Sequence, residues 1–182
     1  MEATSDALGR ALVDEATKKS GVVWVSVGRP DPAAPGRARP AWHLWHEGAA
    51  YLVLDGQEQS VPGLADAERA TVTVRSKDNG GRLVGWQADV SRVRPDGELW
   101  AAVAPMLHAK RLNASDGEAQ LARWATESTI VRLVPDGHYI ESPGAMSASS
   151  HATAPVATAA TTPVPVPFTL AGWRRRRRAA RH

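Results

Sequence analysis

Between Pro40 and Val93 the chain alternates short runs rich in β-branched and aromatic residues with short polar or glycine-containing breaks. The runs are Pro40 to Gly48, Ala49 to Leu54, Ala70 to Lys77 and Arg82 to Val93. Thr71, Thr73 and Arg75 alternate with Val72 and Val74, the period of a strand with one buried face. Asp78-Asn79-Gly80-Gly81 stands between the last two runs. Asn-Gly is a strong hairpin signal, because the favoured two-residue turn needs positive φ at both central positions. The four runs therefore predict four antiparallel strands in sequence, a meander. The connector from Asp55 to Glu68 holds Pro62 and Gly63, and predicts a crossing with a short helical turn near Leu64-Ala65-Asp66.

Upstream, Leu8, Leu12, Val13 and Ala16 fall on one helical stripe. They predict a helix from about Asp6 to Ser20, capped by Ser5 or Asp6 and ended by Gly21. Val22-Val23-Trp24-Val25-Ser26-Val27 reads as a strand buried on both faces, since its run of β-branched residues leaves no polar side. Gly28 to Arg39, with Pro30, Pro32, Pro35 and Gly36, reads as a loop. Downstream, Leu99, Val103 and Met106/Leu107 predict a helix from Glu98 to Leu112, kinked or restarted at Pro105. A shorter helix capped by Ser115 or Asp116 carries Leu121, Trp124 and Ala125, and Ser128 to Val134 forms a last strand ending at Pro135. Helix, strand, four-strand meander, helix pair and strand make an α+β plan with an antiparallel sheet curled into a barrel.

The composition changes at Ser142. Ala, Thr, Ser, Pro and Val then dominate, and no Lys, Arg, Asp or Glu appears until Arg174. Such a stretch buries too little surface to offset its ordering entropy, so residues 142–182 are expected to be a disordered tail behind a domain spanning 1–141. The tail also changes the meaning of the charge. Of 22 Lys and Arg, Arg174 to Arg178 and Arg181 lie in the last nine residues, and all 19 acidic residues precede Ser142. The net +3 therefore divides into an acidic body and a basic end. Phe168 to Trp173 followed by five arginines is a possible contact for nucleic acid or an acidic membrane surface, but nothing in the body matches it. The absence of cysteine removes disulfides, thiol nucleophiles and thiolate metal sites, and fits a reducing, cytoplasmic setting. The acidic start, Met1 to Asp6, lacks the apolar core of a signal peptide, and no run approaches a membrane span.

Several chemistries lack their residues. There is no Gly-x-Ser-x-Gly elbow, no phosphate-loop signature, and no GxGxxG after a strand. His43 and His46, three apart on a strand, point to opposite faces and cannot share a metal ion, so no metal is expected. The tryptophans are more informative. Trp42, Leu44 and His46 share one strand face, His43 and Trp45 the other, and Trp24 and Trp86 lie on neighbouring strands. One face would fill the barrel. The other would meet either a partner subunit or a planar heteroaromatic ligand, stacked on rings and hydrogen-bonded to His43.

Pro40-x-Trp42-x-x-Trp45-x-x-Gly48-x-x-Tyr51, after an N-terminal helix and first strand, resembles the pyridoxamine 5′-phosphate oxidase-like superfamily. It is most similar to the actinobacterial flavin/deazaflavin oxidoreductase branch, over roughly Asp6 to Pro135. The resemblance implies a split β-barrel and a homodimer, with FMN or the 8-hydroxy-5-deazaflavin coenzyme bound at the subunit interface. It also implies hydride transfer to a small organic substrate, with the cofactor carrying the chemistry. Such proteins commonly offer Thr, Ser and Lys to the cofactor phosphate from the loop after the third strand. An ungapped alignment from Tyr51 to Leu64 puts Leu54, Glu58 and Ser60 at those places. A carboxylate in place of a lysine opposes a phosphate on Coulomb grounds.

Two groups can compensate. Gln57, Gln59 and Ser60 supply neutral donors along the loop, and Arg75, Ser76 and Lys77 supply two cations and a hydroxyl. Lys110 and Arg111 are a further pair that could reach across a dimer. The resemblance thus implies stacking by Trp42, polar contact by His43, and phosphate contact by Arg75, Ser76 and Lys77; no side chain is assigned as catalytic. The alternative is a non-catalytic split-barrel binding protein that has lost its phosphate site.

Overall fold

The computed structural model describes residues 2–28, 37–111, 117 and 119–148. Its elements are helix α1 (Glu2–Lys19), strands β1 (Val22–Val27), β2 (Arg39–Trp42), β3 (Leu44–His46), β4 (Ala49–Leu54), β5 (Arg69–Arg75) and β6 (Arg82–Val93), helices α2 (Glu98–Lys110) and α3 (Ala119–Glu127), and strand β7 (Thr129–Glu141). The turn expected in the connector is a 3-10 turn at Leu64–Asp66. All strands join one antiparallel sheet in the order β2-β1-β5-β6-β7-β4-β3.

That order shows how the barrel closes. β2 and β3 lie at opposite ends of the sheet yet are separated in sequence by His43 alone. One extended run pairs with β1 up to Trp42 and with β4 from Leu44 onward. The sheet therefore curls until its two edges meet at His43, the curled antiparallel architecture of a split barrel. The meander is corrected by the same order. β4 pairs with β3 and β7, not with β5, because the connector from Asp55 to Glu68 carries the chain to the far side of the sheet.

Two cores result. Inside the barrel, Val23, Val25, Leu52, Leu54, Val72, Val74, Val84, Trp86, Val131 and Leu133 pack together, closed by Val13 of α1. Outside it, Tyr51, Val53 and Ile130 pack against Val103, Ala104 and Leu107 of α2 and Trp124 of α3. β4 lies between the two cores, so all six of its residues are buried. Two-sided burial was expected of β1, but Val22 and Val27 are exposed and only Val23 and Val25 face inward. Among the described residues no helix covers the outer face of β1 as α2 and α3 cover β4.

The helices depart from their sequence reading in related ways. α1 starts at Glu2, before the expected Ser5 or Asp6 cap, since no breaker interrupts Glu2 to Asp6. Its packed stripe keeps the expected Leu12, Val13 and Ala16 and adds Gly9 and Thr17, while Leu8 is 70% exposed. α2 turns Trp100, Val103, Ala104 and Leu107 inward and leaves Leu99 and Met106 exposed. It runs through Pro105 as one helix. Pro105 and Ala101, the residue four before it, both face solvent, where water can satisfy the freed carbonyl. β7 passes Pro135 and continues to Glu141. Pro135 stands opposite Ala88, where the β6–β7 register shifts, and a bulge tolerates the missing donor.

The type of hairpin turn also moves. The two-residue turn with both φ positive is Glu47-Gly48, between His46 and Ala49, at 46° and 71°. At Asn79-Gly80 only Gly80 has positive φ, and a wider loop joins Arg75 to Arg82. The proposed caps Ser115 and Asp116, and the tail from residue 149, lie outside the described residues. Among the described residues no helix is long and apolar enough to cross a membrane.

Candidate functional site

The connector after β4 folds back sharply. Asp55 and Gly56 take positive φ, and the Asp55 N–H donates to the Gln59 carbonyl (3.0 Å). This return delivers three consecutive side chains to different places. Gln57 points into solvent. Glu58 turns inward until its side chain is fully buried. Gln59 reaches Trp42: the Trp42 N–H donates to Gln59 Oε1 (2.7 Å) and Gln59 Nε2 donates to the Trp42 carbonyl (2.8 Å). A side-chain amide thus completes the edge of β2 just before the strand changes partner. Ser60 is exposed.

Glu58 is the centre of a buried polar cluster. Its Oε1 accepts from Trp124 Nε1 (2.9 Å) and Gln120 Nε2 (3.3 Å). Arg111 Nη2 approaches Oε2 at 3.1 Å, an ion-pair separation without an aligned hydrogen bond. The Arg111 guanidinium also lies over the Trp42 ring, 5.5 Å from its centroid. The carboxylate that opposes a phosphate in the sequence is therefore turned away from solvent and matched by an internal cation. Trp124 and Gln120, its neutral donors, were not singled out for this role. The available signal was general: a tryptophan on a buried helical stripe needs an acceptor for its indole N–H.

At the seam, His43 is wholly buried and its Nε2 lies 2.9 Å from the Thr17 carbonyl. Nδ1 has no partner among the described residues. Burial pushes its pKa down to about 4; the Thr17 carbonyl opposes this and the charge of Lys110 adds to it. His43 is neutral at neutral pH.

Across the sheet, the β5–β6 loop supplies Arg75, Ser76 and Lys77. Arg75 Nε donates to the Gly80 carbonyl (2.7 Å), and its guanidinium stands 5.5 Å from the Trp24 ring centroid. Ser76 Oγ accepts from the Asp78 N–H (3.2 Å). Both thus shape the loop, whereas Lys77 makes no ion pair among the described residues. Lys110, the last residue of α2, has its pKa lowered by partial burial and then by the Lys77 charge. Of the site residues expected from the sequence, the structure joins Gln59 to Trp42 and so gives Gln59 an internal role.

A separate cleft of about 370 Å³ opens between α1 and β7, bordered by Arg10, Asp14, Trp45, Asp136 and Tyr139. Its Trp45 wall is fixed by donation from Nε1 to Asp14 Oδ1 (2.6 Å) and by an edge contact with Trp86. None of the site residues expected from the sequence lines it.

No family model and no curated protein matches the chain. Among solved structures it is similar to the heme storage protein HutZ from Vibrio cholerae, with 12% identity over 70% of this chain and 90% of that one and a TM-score of 0.51. A pyridoxamine 5′-phosphate oxidase-like protein from Listeria innocua has 12% identity, covering 70% of this chain and 93% of its own, with a TM-score of 0.47. An F420 reductase has 10% identity, covering 69% and 94%, with a TM-score of 0.42. At these identities the likeness is one of fold.

Proposed function

We propose that the barrel binds a phosphate-bearing flavin-type cofactor, FMN or the 8-hydroxy-5-deazaflavin coenzyme, beside the seam at Trp42. The observation that carries this reading is the Arg111 guanidinium, 3.1 Å from the buried Glu58 carboxylate and 5.5 Å from the Trp42 ring centroid, with Lys77 and Lys110 as further cations. The Lys110 pKa is lowered first by partial burial and second by the Lys77 charge, and neither lysine has an acidic partner among the described residues. Two cations without acidic partners suit a phosphate, which has the charge to pair with them. The burial of Glu58 against Arg111 removes the carboxylate that would have opposed it.

The chain's own residues divide the work. Lys77 and Lys110 hold the phosphate, with Ser76 and the half-tethered Arg75 at the loop end. Trp42, backed by Arg111, offers a ring edge for the planar group, while Gln57 and Ser60 line the exposed side of the connector. Gln59 and His43 act from behind: Gln59 keeps the β2 edge in place, and neutral His43 adds no charge next to the ring. When bound, the cofactor would supply hydride chemistry toward a small organic substrate. A homodimer, as the family resemblance implies, would place the site between subunits.

A second reading, a non-catalytic binding barrel, is favoured by one observation. Glu58, Gln59 and Arg111 are all engaged within the fold, leaving few groups for a ligand. Titration with FMN, and separately with the deazaflavin coenzyme, distinguishes the two. The cofactor reading expects saturable micromolar binding by cofactor and tryptophan fluorescence. It expects binding about tenfold weaker in Lys77→Ala and in Lys110→Ala, the worth of roughly 1.4 kcal/mol, and a smaller loss in Arg75→Ala. Absence of binding to either cofactor would select the second reading.

A further inference from the structure

The cleft between α1 and β7 is built from held parts. Its β7 side is a bulge: Tyr139 stands opposite Trp86 and Pro135 opposite Ala88, so Asp136, Gly137 and His138 stand against Gln87 alone. The Asp136 carboxylate fixes that bulge by accepting from Arg69 Nη1 (2.7 Å) and from the His138 N–H (2.8 Å). Trp45 is fixed by its bond to Asp14 and its edge contact with Trp86. Tyr139, packed close to Gly9 of α1, is the second aromatic wall. A Cβ built on Gly48 or Gly137 meets no heavy atom within 4 Å, so neither turn fills the space. At about 370 Å³ the cleft reaches the size of small-molecule sites, roughly 300–1,000 Å³.

The chemistry of the walls selects the ligand. Trp45 Nε1 takes one oxygen of Asp14, Oδ1, and Oδ2 has no hydrogen-bond or ion-pair partner among the described residues. Arg69 Nη1 is shared by Asp136 and Asp89, each at 2.7 Å. With Arg10 at the border, two guanidinium groups stand against the three carboxylates of Asp14, Asp89 and Asp136. The cleft is acidic on balance and faced by two aromatic rings. Both features favour an organic cation, one through a carboxylate and the other through the negative faces of the rings. We propose that this cleft binds a small organic cation, an ammonium or amidinium group on a flat apolar body. The charge lies at Asp14 Oδ2 and the body against Trp45 and Tyr139. This site is separate from the seam at Trp42, and it stands whether or not a cofactor binds there.

Two-dimensional NMR of the full chain tests this, with titrations of 2-phenylethylamine, its neutral counterpart 2-phenylethanol and the anion 3-phenylpropanoate. Wild type is expected to bind the amine about fivefold more tightly than the alcohol, the size of one partly exposed ion pair with some cation–π attraction. The anion is expected to bind more weakly than either. The largest shifts are expected at the Trp45 indole N–H and the amides of Asp14, Gly48 and Gly137. Asp14→Asn keeps an oxygen for Trp45 Nε1 and removes the charge. It is expected to bring the amine down to the level of the alcohol and to leave the alcohol unchanged. No saturable amine binding, equal binding of amine and alcohol by wild type, or shifts centred away from the cleft would overturn the proposal. So would an amine preference that survives in folded Asp14→Asn. If that variant does not fold, wild type in about 0.5 M NaCl serves in its place, because salt screens an exposed ion pair. The amine preference is then expected to fall by half or more, and an unchanged preference would overturn the proposal.

Discussion

His43 sits where one strand exchanges partners, and its environment makes the seam sensitive to acid. Its folded pKa, about 4, lies below the ordinary histidine value of 6.5 because burial disfavours the charged ring. The unfolded chain therefore binds more protons than the folded one as pH falls from 6.5 toward 4. Above 6.5 both states are neutral and the residue costs nothing; below 6.5 stability drops, by at most about 3 kcal/mol once pH 4 is passed. Denaturant unfolding at pH 7, 5.5 and 4.5 checks this. His43→Gln, which can still donate to the Thr17 carbonyl, is expected to show a shallower decline than wild type across that range. An identical decline in both would place the acid sensitivity elsewhere. Glu58 teaches a related lesson: its side chain is defined by what the fold turns it toward, not by its distance from a phosphate loop.

Among the elements, α1 is docked through a close approach rather than through its largest apolar residue. A Cβ built on Gly9 would stand 2.4 Å from Cε2 of Tyr139, while Leu8 faces solvent. Alanine favours an isolated helix over glycine by about 1 kcal/mol, yet here it would push α1 off β7. Gly9→Ala is expected to lower stability by roughly 1–3 kcal/mol. In a Tyr139→Ala background the same change is expected to be neutral or stabilising. Thermal unfolding of the three variants measures the coupling, and a Gly9→Ala protein as stable as wild type would contradict the packing.

That contact also shows where sequence reasoning stops. Periodicity located the strands, the 3-10 turn and both helices after the sheet, because alternation and helical stripes are local signals. It placed Val13, Ala16, Val103 and Leu107 on the buried sides of α1 and α2 but also put Leu8, Leu99 and Met106 there, since the edges of each stripe depend on Tyr139 and β4, far away in sequence. It assigned two-sided burial to Val22–Val27 when Ala49–Leu54 has it, because which strand lies under α2 and α3 is a matter of topology. Trp42, Lys77 and Lys110 were visible as residue types. The internal commitments of Gln59 to Trp42 and of Arg111 to Glu58 join residues 17 and 53 positions apart, and no spacing rule reports them.

At the scale of the whole molecule, two helices make a second core over β4, and one strand closes the barrel at the seam carrying Trp42 and His43. The central claim is that this place, and not the cleft between α1 and β7, receives the cofactor. Amide chemical shifts followed by two-dimensional NMR during an FMN titration test it most directly. The account predicts shifts concentrated at Trp42, Gln57, Ser60, Ser76, Lys77 and Lys110. Shifts centred on Asp14, Trp45 and Tyr139, or none at saturating FMN, would contradict it.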